Sequence, residues 1–360
     1  MASRIKAGLG ATLPALLLAG CATVSEPPKA FLPATDVPAL AETKPVGTSN
    51  ADAADDPAIW RNAANPAASL ILGTDKKAGL YVYDLDGRVR DFSPAGALNN
   101  VDLREVRRAD GSGMILVAAS DRTDVAEPRI ALFSLDGASG KLTVLGAPAF
   151  LPVGHAPAEA YGFCMGGPLA AGELARTYVV MKDGTVAESR LVERGGAIVP
   201  EHLRDVKFAT QSEGCAVDDA ARTLYVAEED VGIWKVPLAA GALAGQSFAR
   251  VGAQDGLVDD VEGLAIARAS GGKAWLVASS QGDNAYALFD LGTGKPAGRF
   301  RIDGGAIDGT SDTDGIEVVL GDFGERYPEG LFVAQDGDNA PGAQNFKLLS
   351  WQSIRQALGL

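Results

Sequence analysis

A repeat with a period of about fifty residues is the feature of this sequence that most constrains its fold. Two classes of segment alternate along the chain, and each class occurs six times. The first class joins a turn-like polar pair to an apolar strand, as in DDPAIW, QSEGCAV and DVEGLAI. The second class is a β-rich run with a polar end, as in LILGTDKK, TLYVAEED and GLFVAQDGDN. A third apolar run, such as VGIWKVPL, follows in most units and ends at a glycine-rich turn.

Six similar units of three or four strands are typical of propeller blades. The chain contains 44 glycines and few segments of helical period before the C-terminal WQSIRQAL, which favours an all-β chain. A β-sandwich is the alternative, but it would not require six similar units. We therefore predict an all-β fold, a six-bladed β-propeller. Equivalent positions of all blades then meet at one face, as two rings around one opening.

The N-terminal residues predict export. Arg4 and Lys6 precede an uncharged stretch that ends in LLLAG, which is the layout of a secretory signal and too short to span a bilayer. The run Leu18–Cys21 is similar to a bacterial lipobox, in which Cys21 receives the lipid. An ordinary secretory signal with an incidental cysteine is the alternative. The expected location is that of an exported bacterial lipoprotein, in the outer membrane on its periplasmic or outer face.

The composition divides the chain into three parts. Residues 1–20 are the predicted signal peptide, and residues 21–41, rich in Pro, Ala, Thr and Ser, are the predicted lipid-anchored tether. Residues 42–360 are the predicted folded domain. The net charge of −14 excludes the basic surface of a nucleic-acid-binding protein. A monomer is expected, with membrane contact only through the lipid.

Cys164 and Cys215 remain in the folded part, in the apolar contexts YGFCM and SEGCAV. Buried free thiols are the expectation there, because free cysteine behaves as a small apolar residue. A disulfide is the alternative, which sequence alone cannot decide.

The polar residues of the two segment classes predict the chemistry of the opening. The second class contributes Lys76, Lys77, Arg122, Lys182, Glu229, Gln281 and Asp336. The first class contributes Asp55, Asp56, Asp102, Tyr161, Glu213, Asp260, Glu262, Asp312 and Asp314. So many neighbouring carboxylates cannot all ionise without a counter-charge. Oxygen ligands, with two histidines in the whole chain, select a hard cation, and Ca²⁺ fits best.

A second calcium-binding region is predicted near the C-terminus. DGTSDTDG, from Asp308, is superficially similar to an EF-hand loop but lacks the required glutamate at position twelve. We expect loops and the run AQDGDN, with Asp336, Asp338 and Asn339, to hold a calcium ion. Turn-forming residues that only cap strands are the alternative.

The basic members of the ring indicate the kind of ligand. Lys76, Arg122 and Lys182 come from three successive units at one structural position and suit phosphate groups beside a metal. Solvated surface charges are the alternative for each residue taken singly. Motifs of phosphohistidine, cysteine-based and Walker-type phosphate chemistry are absent from the sequence, which leaves attack by a metal-activated water.

These residues resemble a known family, the calcium-dependent β-propeller phytases, also called alkaline phytases or 3-phytases. The matching strings run in order from about Glu42 to the C-terminus: DAADDPAIW, NNVDLR, YGF, SEG with YVAEEDVGIWK, DVEGLAI, ASSQG, DGTSDTDGI and GLFVAQDG. The resemblance implies a six-bladed propeller and a phosphoric monoester hydrolase. Its implied substrate is phytate, myo-inositol hexakisphosphate, as the calcium complex.

The resemblance also implies roles for individual residues. A calcium cluster that activates water would comprise Asp55, Tyr161, Glu213, Glu229, Asp260 and Glu262. Substrate phosphates would be held by Lys76, Lys77, Arg122, Lys182 and Gln281. Calcium sites that stabilise the fold would include Glu42, Asp56, Asp308, Asp336 and Asn339. The loop after Tyr161 lacks a lysine that many relatives place there, so the second phosphate site is expected to be weaker.

Two other functions stay open on the residues alone. A six-bladed calcium lactonase or esterase would share the metal-lined opening but does not need three cationic groups. A non-catalytic surface propeller would use calcium only for stability.

Overall fold

The structure is a computed structural model that describes residues 32–49, 52–150, 159–239 and 245–360. These residues form six small, mainly antiparallel sheets, and the innermost strand of each sheet lies beside the innermost strands of its neighbours. The sheets are therefore the blades of a closed six-bladed propeller, as predicted. We number the blades 1 to 6 in the chain order of their innermost strands.

The two repeated segment classes form the two inner strands of every blade. The innermost strands are Ala54–Trp60, Leu98–Arg107, Ala160–Gly166, Ser212–Asp218, Val261–Arg268 and Ile316–Leu320. The second strands are Leu70–Asp75, Gly113–Asp121, Glu173–Met181, Thr223–Glu228, Ala274–Ser280 and Gly330–Asp336. The third strands are Gly79–Asp84, Arg129–Asp136, Thr185–Arg194, Gly232–Pro237, Ala285–Asp290 and Asn345–Ser350.

The outer strands are less regular. In blades 1 to 5 the fourth strands are Val89–Ser93, Lys141–Val144, Ala197–Lys207, Gln246–Arg250 and Lys295–Ile302, and Ala149–Phe150 also pairs with the third strand of blade 2. The helical segments are the 3₁₀ turns Pro66–Ala68 and Gln281–Asp283 and the α-helix Trp351–Leu358. No helix in the described ranges is long and apolar enough to cross a membrane.

The N-terminal part of the described chain closes the ring. Ala41–Glu42 is the fourth strand of blade 6, and Thr35–Val37 adds a parallel fifth strand to blade 5. Val37 is buried. The predicted boundary at Glu42 was therefore too late, because residues 35–41 pair with the last two blades instead of belonging to the tether. The predicted signal peptide, the lipidation site Cys21 and the first part of the tether lie outside the described residues.

The core consists of apolar clusters between neighbouring blades. Six clusters occur in the described chain, one at each of the six blade interfaces. Between blades 1 and 2, for example, Val82 and Leu103 pack with Phe133. Each blade thus buries both of its faces, which explains why the strands read as nearly continuous apolar runs. The C-terminal helix buries Trp351 and Ile354 against blades 5 and 6.

Cys164 and Cys215 form a disulfide between the innermost strands of blades 3 and 4. The expectation of two free thiols was wrong. Both residues are buried, as expected, but they lie on strands of neighbouring blades that pass side by side. This adjacency depends on how blades pack, which the local sequence around each cysteine does not show.

Candidate active site

β-Bulges at the start of the innermost strands form the first ring around the opening. In five blades the strand pairing shifts there, for example between Ser212 and Cys215. A bulge redirects the side chains it carries, and bulges are common beside active sites. The residues at this position, with the equivalent residue of blade 6, are Asp55, Asn99, Tyr161, Glu213, Glu262 and Asp314.

In blades 3 to 6 a glycine follows the ring residue, because the bulge of the next blade leaves no room for a side chain. A Cβ on Gly162 would lie 1.9 Å from the carbonyl oxygen of Glu213, and a Cβ on Gly263 would lie 2.6 Å from that of Asp314. The Gly263 N–H also donates to the Asp314 carbonyl at 2.8 Å. The repeated Glu-Gly and Asp-Gly pairs of the sequence are therefore the contacts that join successive blades at the opening.

The second ring consists of the residues that directly follow the second strands. In each blade the backbone N–H of this residue donates to a carbonyl of the segment before the bulge, at 2.7 Å from Lys76 to Ala53 and at 3.1 Å from Glu229 to Gln211. These hydrogen bonds fix the register between the two rings. By this criterion the second ring is Lys76, Arg122, Lys182, Glu229, Gln281 and Gly337.

Asp336 was therefore wrongly placed in the ring. It lies one residue earlier, at the end of its strand, and its side chain is fully buried. Gly337 occupies the ring position, and a Cβ there would lie 2.7 Å from the Ser311 carbonyl oxygen. Blade 6 thus contributes no side chain to the second ring. The Asp336 side chain instead contacts Lys347, in the second predicted calcium region, to which the resemblance also assigned it.

Three buried glutamates from the two rings form what we call the opening cluster, Glu213, Glu229 and Glu262. One carboxylate oxygen of each lies within 4.8 Å of the others. Within the described chain, Glu229 Oε1 and Glu262 Oε2 have no hydrogen-bond partner. Burial, followed by neighbouring carboxylates, raises the pKa of Glu213 and Glu262 well above the ordinary range. Burial likewise raises the pKa of Glu229 to about 7.

Unpartnered oxygens that converge in a buried, carboxylate-rich site fit a hard cation. Oxygen-only donors at this spacing suit calcium, which accepts six to eight such ligands in irregular geometry. The alternative is a set of carboxyl groups that stay protonated near neutral pH, because ionised groups this close repel one another. The type, spacing and unpartnered state of these oxygens fit a bound calcium ion.

The other predicted cluster members border the opening cluster. Burial, and then the charges of Glu213 and Glu262, raise the pKa of Tyr161 far above its usual range, and its hydroxyl hydrogen-bonds to Glu213. Asp260 lies at the rim, with a backbone φ of 70°, and its charge contributes to the raised pKa of Glu229. Asp55 is buried and also has a raised pKa, first through burial.

Lys76 lies deeper in the opening than the sequence suggested. Its side chain is only 6% exposed, and Nζ lies 2.8 Å from Asp52 Oδ1, 2.9 Å from Asp55 Oδ2 and 2.8 Å from Asp314 Oδ2. Burial alone would lower the pKa of Lys76, but the Asp55 and Asp314 carboxylates raise it above its ordinary value. The ammonium group therefore faces carboxylates as well as the opening. The neighbouring Lys77 is exposed.

The remaining basic residues surround the Tyr161 ring. Arg122 Cζ lies 5.4 Å and Lys182 Nζ 4.8 Å from the ring centroid. Arg122 also forms an ion pair with Glu159, while Lys182 is exposed. Gln281 Nε2 donates to Asp314 Oδ1 at 2.8 Å. Cationic groups and the opening cluster thus share one face, as the ring argument predicted.

Comparison with known proteins identifies the family. The sequence profile of the Phytase family matches residues 6–360. The chain is also 40% identical over 330 residues to a protein named 3-phytase from Bacillus subtilis (strain 168), which covers 90% of this chain and 85% of that protein. The chain belongs to the phytase family.

Solved structures outside the phytase family are more distant. A chain of the Mitotic Checkpoint Complex is 12% identical with a TM-score of 0.46, over 95% of this chain and 86% of that one. A putative oxidoreductase (glucose dehydrogenase) from Thermus thermophilus is 12% identical with a TM-score of 0.46, over 84% of this chain and 98% of that one. Neither likeness carries an argument about this phytase-family chain.

The predicted fold-stabilising residues form a second group in this member of the phytase family. Lys347 Nζ lies 2.6 Å from Glu42 Oε2, 2.6 Å from Asp308 Oδ1, 3.2 Å from Asp336 Oδ2 and 3.3 Å from Asn339 Oδ1. We call these five residues the closure cluster, because Glu42 belongs to the N-terminal strand of blade 6. The sequence predicted four of the five, but it gave no sign that a buried lysine stands among them.

Asp56 is the one predicted fold-stabilising residue outside the closure cluster. It replaces the glycine of the ring pattern in blade 1 and lines the central cavity with Asp102 and Glu317. Its Oδ2 accepts a hydrogen bond from the Val101 N–H at 2.9 Å. Burial raises the pKa of Asp56 well above the ordinary range.

Asn99 and Lys347 received no role from the sequence, and Asp314 was predicted in the ring but was assigned no individual role. For Asp314 a signal existed, because the Asp-Gly pair at Asp314 stands where other blades have Glu-Gly. Asn99 lies in the NNVDLR string, from which Asp102 was predicted as the ring residue, but the bulge between Leu98 and Val101 places Asn99 at that position. Lys347 lies in an ordinary strand, and only the folded chain brings it to Glu42 and Asp308.

Proposed function

We propose that this chain is a calcium-dependent phytase that hydrolyses phosphomonoester bonds of phytate by direct attack of water. The observation that carries the proposal is the opening cluster, on the same face as Arg122 and Lys182, in which buried oxygens of Glu229 and Glu262 have no partner among the residues that the structure describes. Membership of the phytase family supports phytate as the substrate. Phytate carries many phosphates on one ring, and a face with several cationic groups suits such a polyanion.

Several calcium ions are part of the proposal. The residues that would hold calcium at the opening are Asp55, Tyr161, Glu213, Glu229, Asp260 and Glu262. Calcium bound there would lower the pKa of a water molecule and neutralise charge on the phosphate oxygens. The closure cluster carboxylates Glu42, Asp308 and Asp336, with Asn339, and separately Asp56, would hold calcium that stabilises the fold.

The chain's own groups bind and orient the substrate. Arg122 and Lys182 flank the Tyr161 ring and would hold phosphates at the cleaved position and beside it. Lys76, Lys77 and Gln281 would hold further phosphate oxygens, and Lys76 does so while it remains close to Asp55. Within the described chain, Glu229 Oε1 has no hydrogen-bond partner, so it is available to hold calcium and to orient the attacking water.

The test is phosphate release from calcium-saturated phytate, before and after chelation, with p-nitrophenyl phosphate and a lactone as comparison substrates. We expect release from phytate that chelation abolishes and that added calcium restores. Turnover of the lactone alone would favour a calcium lactonase or esterase. Calcium binding without any turnover would favour a surface-binding propeller.

We also propose that the chain is an exported lipoprotein that contacts the membrane only through lipid on Cys21. The lipobox-like run before Cys21 is the sole support. Labelled palmitate should be incorporated into the wild type in bacterial cells and should be lost in Cys21→Ser. Export of an unlabelled, soluble wild-type product would contradict the proposed lipidation of Cys21 but would support the signal peptide.

A further inference from the structure

Asn99 is fully buried in the bulge of blade 2, at the ring position that Asp55 and Glu213 occupy in their own blades. Its amide contacts two different kinds of group. Oδ1 accepts a hydrogen bond from Arg122 Nη1 at 2.6 Å, and Nδ2 donates to Glu213 Oε1 at 2.7 Å. Nδ2 also lies 3.4 Å from Asp55 Oδ1.

The orientation of this amide follows from its partners. A guanidinium group can only donate, so the atom that faces Arg122 is the amide oxygen. The partners on the other side are the Glu213 and Asp55 carboxylates and the side-chain amide of Asn100, which lies 2.8 Å away; because the carboxylates accept, the atom that faces Glu213 is the nitrogen. Asn99 therefore spans the distance between a phosphate-holding side chain and a metal-holding side chain of the proposed site.

An amide suits this position better than the carboxylates found in blades 1, 4, 5 and 6. A carboxylate would add a second negative charge beside Arg122, which already pairs with Glu159, and so weaken its hold on a phosphate; it would also repel Glu213 at close range. The amide accepts from Arg122 without removing its charge, and it donates to Glu213 without adding another. Arg122 is held on its other side by Glu159, so the guanidinium is fixed from two directions.

We propose that Asn99 is a positioning residue that couples the phosphate-binding arm of Arg122 to the metal-binding carboxylate of Glu213. This inference rests on the proposed function. It predicts that the loss of Asn99 changes two binding properties, whereas the loss of Arg122 or of Glu213 changes only one. Loss of Arg122 affects the binding of the polyanion, loss of Glu213 affects calcium, and loss of Asn99 affects both.

The test compares Asn99→Ala with Arg122→Ala, Glu213→Gln and the control Asn62→Ala. Asn62 is a matched asparagine in a loop of blade 1 on the opposite face, where Oδ1 accepts from the Ala64 and Asn65 N–H groups. Calcium binding is measured by calorimetry without substrate. Binding of myo-inositol hexakissulfate, a polyanion that is not a phosphate ester, is measured at saturating calcium. The KM and kcat for calcium–phytate complete the set.

For Asn99→Ala we expect the Kd for calcium at the opening and the Kd for the hexakissulfate each to rise about tenfold, because each loses a hydrogen bond to a charged group. The KM for phytate should rise with them. Asn62→Ala should change none of these quantities. Asn99→Ser should fold if the alanine variant does not, and it should shift both Kd values in the same direction, because a hydroxyl cannot reach both partners.

A lower melting temperature with both Kd values unchanged would overturn the inference and leave Asn99 a packing residue. A change in only one Kd would also overturn it, because coupling requires both. Both binding measurements are made without turnover. If the wild type releases no phosphate from phytate, the proposed function fails, while the two Kd values still decide the role of Asn99.

Discussion

The opening cluster and the closure cluster are both rich in carboxylates, but they balance charge differently. The closure cluster contains its own cation, Lys347, which is fully buried and contacts Glu42, Asp308 and Asp336. The opening cluster of Glu213, Glu229 and Glu262 contains no cation, and two of its oxygens are unpartnered within the described chain.

The difference indicates which cluster serves the fold and which serves the chemistry. A buried carboxylate that is paired and hydrogen-bonded is tolerated in a stable structure, whereas an unpaired one opposes folding. An uncompensated set is therefore retained where something outside the chain is to bind. The closure cluster joins distant parts of the chain with partly internal compensation, so we expect its loss to affect stability first.

The largest expected effect is on turnover in the opening cluster. Glu229→Gln keeps the volume but removes the charge and an oxygen that would hold calcium and orient the attacking water, so activity should fall about 10²- to 10⁴-fold. The melting temperature should stay the same or rise. Initial rates of phosphate release and thermal unfolding measure the two effects, and Glu325→Gln on the opposite face is the control. If the variant keeps activity within twofold of the wild type, the opening cluster is not the catalytic one.

The disulfide offers a way to weaken the inner wall below the opening without touching the closure cluster. Replacing both Cys164 and Cys215 by alanine opens a loop of 51 residues, which in the chain-entropy description costs about 4 kcal/mol of unfolding free energy. Urea unfolding measures this loss. Reduced wild type should behave like the double variant, and equal stability of reduced and oxidised protein would contradict the prediction.

Lys347→Met tests the internal compensation of the closure cluster. It leaves the buried Asp336 and its partners without a counter-charge, and we expect a loss of about 3 kcal/mol in chelator. Calcium should restore part of the stability, since a bound cation favours the folded state. Activity per folded molecule should change far less. Lys295→Met, at an exposed lysine, is the control, and an equal loss in both variants would remove the distinction between the clusters.

The smallest expected effect is on the pH dependence of stability in chelator. Burial raises the pKa of Glu229 from 4.5 to about 7, so the folded state holds this proton more tightly than the unfolded state does. Stability from this group is therefore full below pH 4.5 and is lost as the pH rises to about 7. Allowing for solvent screening, we expect about 1 kcal/mol. Glu229→Gln should reduce the slope of the curve in that window, where Asp314, with a pKa raised to about 7, still titrates, and an unchanged slope would contradict the assignment.

The fold could be predicted because the sequence repeats the contacts that build it. In blades 3 to 6 the residue after the ring position is a glycine packed against the next blade, so the glycine pairs recur in the sequence and identify the first ring. The prediction failed where a residue escapes the pattern. The sequence AQDGDN suggests Asp336 as the ring residue. The hydrogen bond from the Gly337 N–H to the Ser311 carbonyl shows that Gly337 holds that position.

The rest of the site depends on contacts between residues far apart in the chain. Thr35–Val37 is a short strand whose partners, Phe300–Ile302, lie in blade 5, so no local pattern marks it. The disulfide, the carboxylates around Lys76 and the position of Lys347 follow from blade packing in the same way. Asn99 escaped notice because Asp102, three residues later, was predicted for the ring of blade 2, and only the strand pairing shows that the bulge lies at Asn99.

The pairing of Ala41–Glu42 with the third strand of blade 6 has a consequence for how the molecule is made. Glu42 contacts Lys347, 305 residues further along the chain, so the strand Ala41–Glu42 finds its partner only after the first five blades have been synthesised. Until then the ring stays open at one interface, with apolar surface uncovered. A chain interrupted shortly before blade 6 would therefore lack that blade and also the partner strand of Ala41–Glu42. Such a chain would be an open ring with exposed apolar surface, which chaperones and proteases in the cell recognise.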